Sequence, residues 1–272
     1  MQTGVMPQQT SDPIEAYSLV EMDGAAILVV DGTSADTAVM AAAAVLGSRL
    51  RAYRQPVTIA TNPTAGQGVF FDRTTRTVNA DSAAHGPLHV DGYMMYGQAY
   101  PDVIFLLCSE QAPNGGANFI VDGLRLLTTL ASDPAQRELL RFLCQYPLEQ
   151  SSPTGVQVSG PIVDRTAGGR MAIRCHQHQR FPENKPIDAP HKGLLDGWRA
   201  VTSAAAAEAP RFRLRPGELL CLDNYRVFHG REAYTGTDRL LHRIWSWTDT
   251  AFGTPDPRTA DGRADDITVV PW

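Results

Sequence analysis

The chain has 272 residues, 43% of them hydrophobic and 19% charged, with a net charge of −5. That balance fits one globular domain with a sizeable core and leaves no basic patch or stripe for a nucleic acid. No apolar run approaches the length of a membrane span, and the N-terminus lacks a basic stretch followed by an apolar one, so neither a transmembrane helix nor a signal peptide is expected.

Residues 1–14 are polar with two prolines and are expected to form a poorly ordered arm. Ala26–Val30 is an apolar run closed by Asp31-Gly32, which predicts a buried strand. Thr33–Asp36 looks like a helix start, and the Ala-rich stretch to about Arg51 continues it. Residues 55–88 are rich in Thr, Gly, Pro and Asn and are expected to be a lid or binding loop, with one strand near Gly68–Phe71. Asp102–Cys108 and Ala117–Val121 predict strands on either side of the turn Pro113–Gly116. Leu124 to about Phe142 predicts a helix broken at Pro134. Residues 148–170 are a second loop insertion holding a hairpin. Met171–Cys175, Leu219–Asp223 and Leu240–Trp247 predict further strands, His191–Glu208 predicts a helix, and 251–272 is an irregular tail. Short strands with a few outer helices suggest one domain, α+β in class, on a two-sheet jelly-roll core. The four cysteines form no CxxC pair, and Cys108 and Cys221 sit in apolar runs as buried free thiols, so a reducing, cytoplasmic setting is expected.

The chemistry gathers around His89-Val90-Asp91. On an extended strand, residues two apart point to one face, so an HxD pair offers an imidazole and a carboxylate to one ion. His229 supplies a second imidazole from a distant strand. Two histidines and one carboxylate form the facial triad of non-haem Fe(II) sites, though the same donors accept Mn, Co, Ni or Zn, so a zinc hydrolase shares the pattern. Arg239, just downstream, offers a guanidinium fork for an acid beside the metal. His176 and His178 make an HxH pair with no carboxylate in register. They are expected to line a pocket or face solvent.

The segment Asp223-Asn-Tyr-Arg-Val-Phe-His-Gly-Arg231, with Gly236-Thr-Asp-Arg239 and Arg243, resembles the C-terminal signature of the Fe(II)/2-oxoglutarate-dependent oxygenases. Among these it is most similar to the taurine dioxygenase/clavaminate synthase superfamily, which includes γ-butyrobetaine hydroxylase and amino-acid β-hydroxylases. The resemblance covers about residues 85–125 and 215–247. It implies a double-stranded β-helix fold, Fe(II) held by His89, Asp91 and His229, and 2-oxoglutarate held by Arg239. It implies oxidation by dioxygen of an unactivated C–H bond, with release of succinate and carbon dioxide. The family often has Gly-Gly-x-Thr where this chain has Gly115-Gly116-Ala117-Asn118, so Asn118 stands in for a hydroxyl that helps hold 2-oxoglutarate. Asp91 is present, which disfavours halogenation.

Substrate choice then falls to the cavity. Arg243 lies four residues beyond Arg239 and shares its face if the segment is a strand. It would read a carboxylate, sulfonate or phosphate. Gln98, Tyr93 and Arg174 are further candidates, with Met94, His176, Arg180 and residues 62–82 as possible lining. A small polar metabolite such as an amino acid or its derivative is the expected substrate, with hydroxylation the expected outcome. Desaturation, epoxidation or cyclisation would use the same centre, and a non-catalytic small-molecule sensor on this fold is the alternative to an enzyme.

Overall fold

The computed structural model describes residues 2–62, 67–71, 77–80, 86–151, 157–182, 189–235, 239–255 and 267–269. Side chains are described for the same residues except 55–80, 94–95, 151, 157, 189 and 267–269. In chain order, β1 (Gly4–Val5) and β2 (Gln8–Thr10) precede α1 (Pro13–Asp23), β3 (Ala25–Val29) and α2 (Ala35–Leu46). A meander of β4 (Leu50–Asn62), β5 (Gln67–Phe71) and β6 (Thr77–Ala80) follows, and then β7 (Gly86–His89), which joins another sheet. After the single turn α3 (Tyr93–Tyr96) come β8 (Val103–Glu110), β9 (Asn114–Gly115), β10 (Asn118–Asp122), α4 (Gly123–Ser132) and α5 (Arg137–Gln145). The hairpins β11 (Leu148–Ser151)/β12 (Gln157–Gly160) and β13 (Val163–Arg165)/β14 (Met171–Ile173) lead to α6 (Ala189–Glu208). The chain closes with β15 (Glu218–Asp223), β16 (Val227–Arg231), β17 (Tyr234–Thr235), β18 (Leu240–Thr248) and β19 (Ile267–Val269).

Two expectations are corrected. The N-terminal segment is not a loose arm: β1 pairs with β10, and β2 runs parallel to β3. Its helix α1 starts on an N-cap, Asp12, whose carboxylate accepts the Ile14 N–H at 2.9 Å, with Pro13 at the first position. Gly24, at φ +80°, closes α1 by donating its N–H to the Val20 carbonyl. The described residues of 55–88 are strand rather than loop, because β4 continues to Asn62 and pairs there with β18 and β5. Pro134 breaks the helix near residue 133 as expected, with a 3₁₀ turn at Pro134–Gln136 between α4 and α5.

The described strands form a large sheet in the order β2-β3-β15-β8-β18-β4-β5-β6, with β19 also against β4, and a small sheet in the order β1-β10-β16-β7. Period-two alternation decides what each face meets. On β8, Val103, Phe105 and Leu107 point outward with Leu219 and Cys221 and pack under α1 and α2. Ile104, Leu106 and Cys108 point the other way and meet Ile120 and Val227 of the small sheet. The small sheet's outer residues, Phe119, Val121 and Phe228, are covered by Leu126 and Leu130 of α4, Phe142 of α5, and Leu195 and Trp198 of α6. The fold is therefore α+β, a helical layer on each side of two facing sheets. Each fully buried Leu or Phe contributes about 2–3 kcal/mol of apolar burial. Cys108, Cys175 and Cys221 are buried free thiols and Cys144 is exposed. Among the described residues no helix is long and apolar enough to cross a membrane.

One polar knot ties the sheet to the β13–β14 hairpin. Asp102, fully buried before β8, accepts from the Thr248 N–H at 2.9 Å and from Arg170 Nη1 at 2.5 Å. Arg170 reaches Asp223, at the end of β15, with its other nitrogen at 2.7 Å. The two carboxylates hold the Arg170 guanidinium firmly protonated, outweighing its burial. Arg170→Met would leave both acids without their cation, and stability should drop by about 3–5 kcal/mol in urea unfolding. Arg170→Lys should recover only part of that, because an ammonium cannot fork between two acids. Unchanged midpoints would sink this account.

Candidate metal centre

The small sheet makes the centre by pairing its edge strand β7 with β16. His89 and His229 are cross-strand partners in that ladder. Directly opposed residues sit side by side, and the two rings lie with centroids 4.3 Å apart. Gly230 follows His229 and leaves room for this packing: a Cβ there would stand 2.4 Å from the Phe119 ring and 2.9 Å from the Gly86 carbonyl oxygen. Asp91 does not extend the strand. β7 ends at His89, and the chain bends as the Val90 N–H bonds to the Cys175 carbonyl at 3.1 Å. Gly92 sits at φ +81°, and any Cβ on it would meet Pro101 Cδ at 2.4 Å, so this position requires glycine because backbone meets a proline ring. One donor atom each from His89, Asp91 and His229 lie within 4.8 Å of one another.

Each donor is prepared. His89 Nδ1 lies 2.9 Å from the Pro87 carbonyl, which only accepts, so Nδ1 donates there and the ring turns Nε2 toward Asp91. His89 Nε2 lies 3.5 Å from Asp91 Oδ1. The other oxygen, Oδ2, accepts from Arg243 Nη1 at 3.1 Å and from the Trp245 indole N–H at 2.9 Å. Burial pushes the Asp91 carboxyl upward, but the Arg243 charge and then the His89 contact prevail and hold it well below the usual range. Burial, then the neighbouring His89, pushes His229 down to about 3, so it is a neutral imidazole. Its Nδ1 is buried with no hydrogen-bond partner among the described residues.

Just ahead of β18, Arg239 is a buried cation with no carboxylate partner among the described residues. Arg239 is 4% exposed, and its Nε has no partner among the described residues. Its guanidinium lies 5.2 Å from the Tyr234 ring centroid, and burial lowers its pKa. Asp238, its sequence neighbour, lies outside the described residues. Gly116, at φ +70°, keeps the approach open: a Cβ there would be 3.6 Å from Arg239 Nε. Asn118, two residues on, is buried with its Nδ2 unpartnered among the described residues. Arg239 stands just before β18, and Arg243 shares alternating β18 positions with Leu241 and Trp245, which face the small sheet.

The remaining sequence candidates gather elsewhere. Arg174 is 2% exposed, donates to the carbonyls of Gly160 and Pro161 and lies 3.9 Å over the Tyr93 ring. Tyr93 packs edge-on against Tyr100. Gln98 is exposed and donates to Asp164 at 3.0 Å. These three share a neighbourhood with one another and have no recorded contact with His89, Asp91 or His229. The side chains of Met94 and of residues 62–82 lie outside the described residues. His176 is near the centre: its ring centroid is 6.4 Å from that of His89, and its Nδ1 accepts the His178 N–H at 3.1 Å. Burial, then His89, pushes it down to about 3, so it too is neutral.

Two residues at the centre escape sequence reading. Trp245 was within reach of it, since alternation from Arg243 places it on the same face. Asn224 was not. It is fully buried and bonds in both directions to the Asp91 main chain, across 133 residues.

The donor set and the unanswered guanidinium fit a divalent metal with an acid bound beside it. Residues 8–245 match the family described as "Taurine catabolism dioxygenase TauD, TfdA family". Over 202 residues the chain is 28% identical to gamma-butyrobetaine dioxygenase of Pseudomonas sp. (strain AK-1), covering 65% of this chain and 51% of that protein. Over 155 residues it is 29% identical to L-asparagine oxygenase of Streptomyces coelicolor, covering 55% and 44%. The chain thus spans about half the length of the curated relatives it matches. It shares its fold with the solved structure of asparagine oxygenase in complex with Fe(II), 2S,3S-3-hydroxyasparagine and succinate, at TM-score 0.57 and 19% identity over 86% of this chain and 77% of that one. The family match spans β7, β10 and β16, the strands nearest the centre, and reaches Trp245 on β18: the chain belongs to the taurine catabolism dioxygenase TauD/TfdA family.

Proposed function

We propose that this chain is an Fe(II)- and 2-oxoglutarate-dependent dioxygenase that hydroxylates an unactivated C–H bond of a small polar metabolite, such as an amino acid or its derivative. One observation carries the reading. A His-Asp-His cluster lies in the same inter-sheet region as a buried guanidinium that has no carboxylate partner among the described residues. Burying an isolated charge is expensive, so Arg239 is built to receive an anion. The facing sheets fit a double-stranded β-helix around that region. The named substrates of the relatives, a betaine and asparagine, support a zwitterionic or amino-acid-like molecule.

When bound, iron with 2-oxoglutarate and dioxygen supplies the oxidising power, and succinate and carbon dioxide are the by-products. His89 Nε2, an Asp91 oxygen and His229 would hold the ion. Arg239 would take the far carboxylate of 2-oxoglutarate in a fork, and the Asn118 amide would add an N–H donor. Leu241, Trp245 and Leu106 wall the region with apolar surface and keep water from it. Arg243 holds Asp91 Oδ2, and in this reading its positive charge also attracts an acidic group on the substrate. Desaturation, epoxidation or ring closure would use the same residues.

Anaerobic addition of 2-oxoglutarate to the Fe(II) protein should produce a weak visible charge-transfer band. Iron-loaded protein without that band would refute the proposal. A substrate screen scored by succinate should then yield a product one oxygen heavier, and loss of two hydrogens would redirect the reading to desaturation or cyclisation. Asp91→Ala should abolish substrate-dependent succinate, as should removal of the metal by chelation. Arg239→Met should raise the 2-oxoglutarate Kd about 10- to 100-fold, the loss of charge-assisted bonds. An unchanged Kd would remove Arg239 from this role.

A further inference from the structure

Asp91 is the ligand that no strand holds. It lies in the bend between β7 and α3, next to a glycine, and a small rotation there would swing its carboxylate away from both histidines. What fixes it is the Asn224 carboxamide. Asn224 Oδ1 accepts the Asp91 N–H at 2.9 Å. Asn224 Nδ2 donates to the Asp91 carbonyl at 3.0 Å and to the Pro101 carbonyl at 2.7 Å. Both amide hydrogens and the oxygen are therefore committed, and a flipped amide would set its donors against the Asp91 N–H. Asn224 is itself fixed, since it is fully buried and its N–H bonds to the Asp102 carbonyl at 2.9 Å, beside the Arg170 knot. A fully satisfied buried network of this kind admits one arrangement.

All three side-chain bonds engage main chain. None uses the Asp91 carboxylate, which Arg243 and Trp245 orient separately. The clamp therefore does not depend on what that carboxylate binds. We propose that Asn224 is a positioning residue that sets the Asp91 ligand before the ion arrives, so that the ion meets a finished site. This rests on the metal-dependent reading above. It adds the asparagine of the Asp223-Asn224 pair to the machinery of the centre, acting through Asp91.

Mn(II) binding, followed by the electron paramagnetic resonance of the free ion, tests the inference apart from turnover. Wild-type protein should bind Mn(II), and failure to bind Mn(II), Fe(II) or Co(II) would sink the metal reading itself. Asn224→Ala should lower Mn(II) affinity about 10- to 100-fold, the usual effect of losing a group that orients a ligand. Asn224→Ser keeps an acceptor for the Asp91 N–H and should lose less. A purely structural role would lower the Tm of both variants but leave the Mn(II) affinity of the folded protein unchanged. Wild-type affinity in either folded variant therefore overturns the proposal. Amide hydrogen exchange on the wild type needs no variant: the Asp91 amide should exchange slowly with and without Mn(II). Free exchange that slows only when metal is added would show the ion building the clamp, the opposite of what is proposed.

Discussion

A carboxylate enclosed between two apolar sheets must be met by donors, and the arrangement of this protein turns on how Asp91 is met. Its oxygen Oδ2 takes one N–H each from Arg243 and Trp245 on the large sheet. Its Oδ1 faces His89 at the edge of the small sheet. The carboxylate thus bridges the two layers, and β18 must lie across from β7 and β16 for the bridge to form. The apolar faces of β8, β15 and β10 supply the force that brings them together.

Three guanidinium groups, two buried and one half-buried, meet their surroundings in three ways. Arg243 is neutralised by Asp91. Arg174 is solvated by two backbone carbonyls and the face of Tyr93, which suits packing. Arg239 lies against Tyr234, and its Nε has no partner among the described residues. Sequence type alone does not separate these three, because each is an arginine in an apolar stretch. What separates them is the company that the tertiary fold provides.

The legible part of the sequence was that governed by period and punctuation. Apolar alternation located β3, β8, β15 and β18, Pro134 located a helix break, and the HxD with a later histidine located the centre. The segment 1–14 was misread because its polar residues belong to short edge strands, where the backbone ladder holds and side chains need not be apolar. Its helix start at Asp12-Pro13 was there to be found. The described residues of the Thr- and Gly-rich 55–88 are strand rather than loop because β4 runs on to Asn62 between β18 and β5, where the ladder holds whatever the side chains are. Gln98 and Tyr93 follow the HxD and Arg174 stands two residues before His176, yet the turn at α3 and the strands β12–β14 carry them to a different neighbourhood. Asn224 and Asp91 are adjacent only in three dimensions, and nothing local announces that contact.

Among the described strands β7 is the outermost of the small sheet, bonded to β16 alone, and it carries His89 at its last position. An ion shared by His89 and His229 is therefore a crosslink between an edge and the strand that supports it. Edge strands fray first, and here fraying would separate the two imidazoles. Release of the ion and peeling of the edge become one event, so the lifetime of the loaded centre is bounded by the opening rate of a strand four residues long. The loaded protein should accordingly have a quieter rim than the empty one, with the ion serving as the fastener of the sheet that positions it.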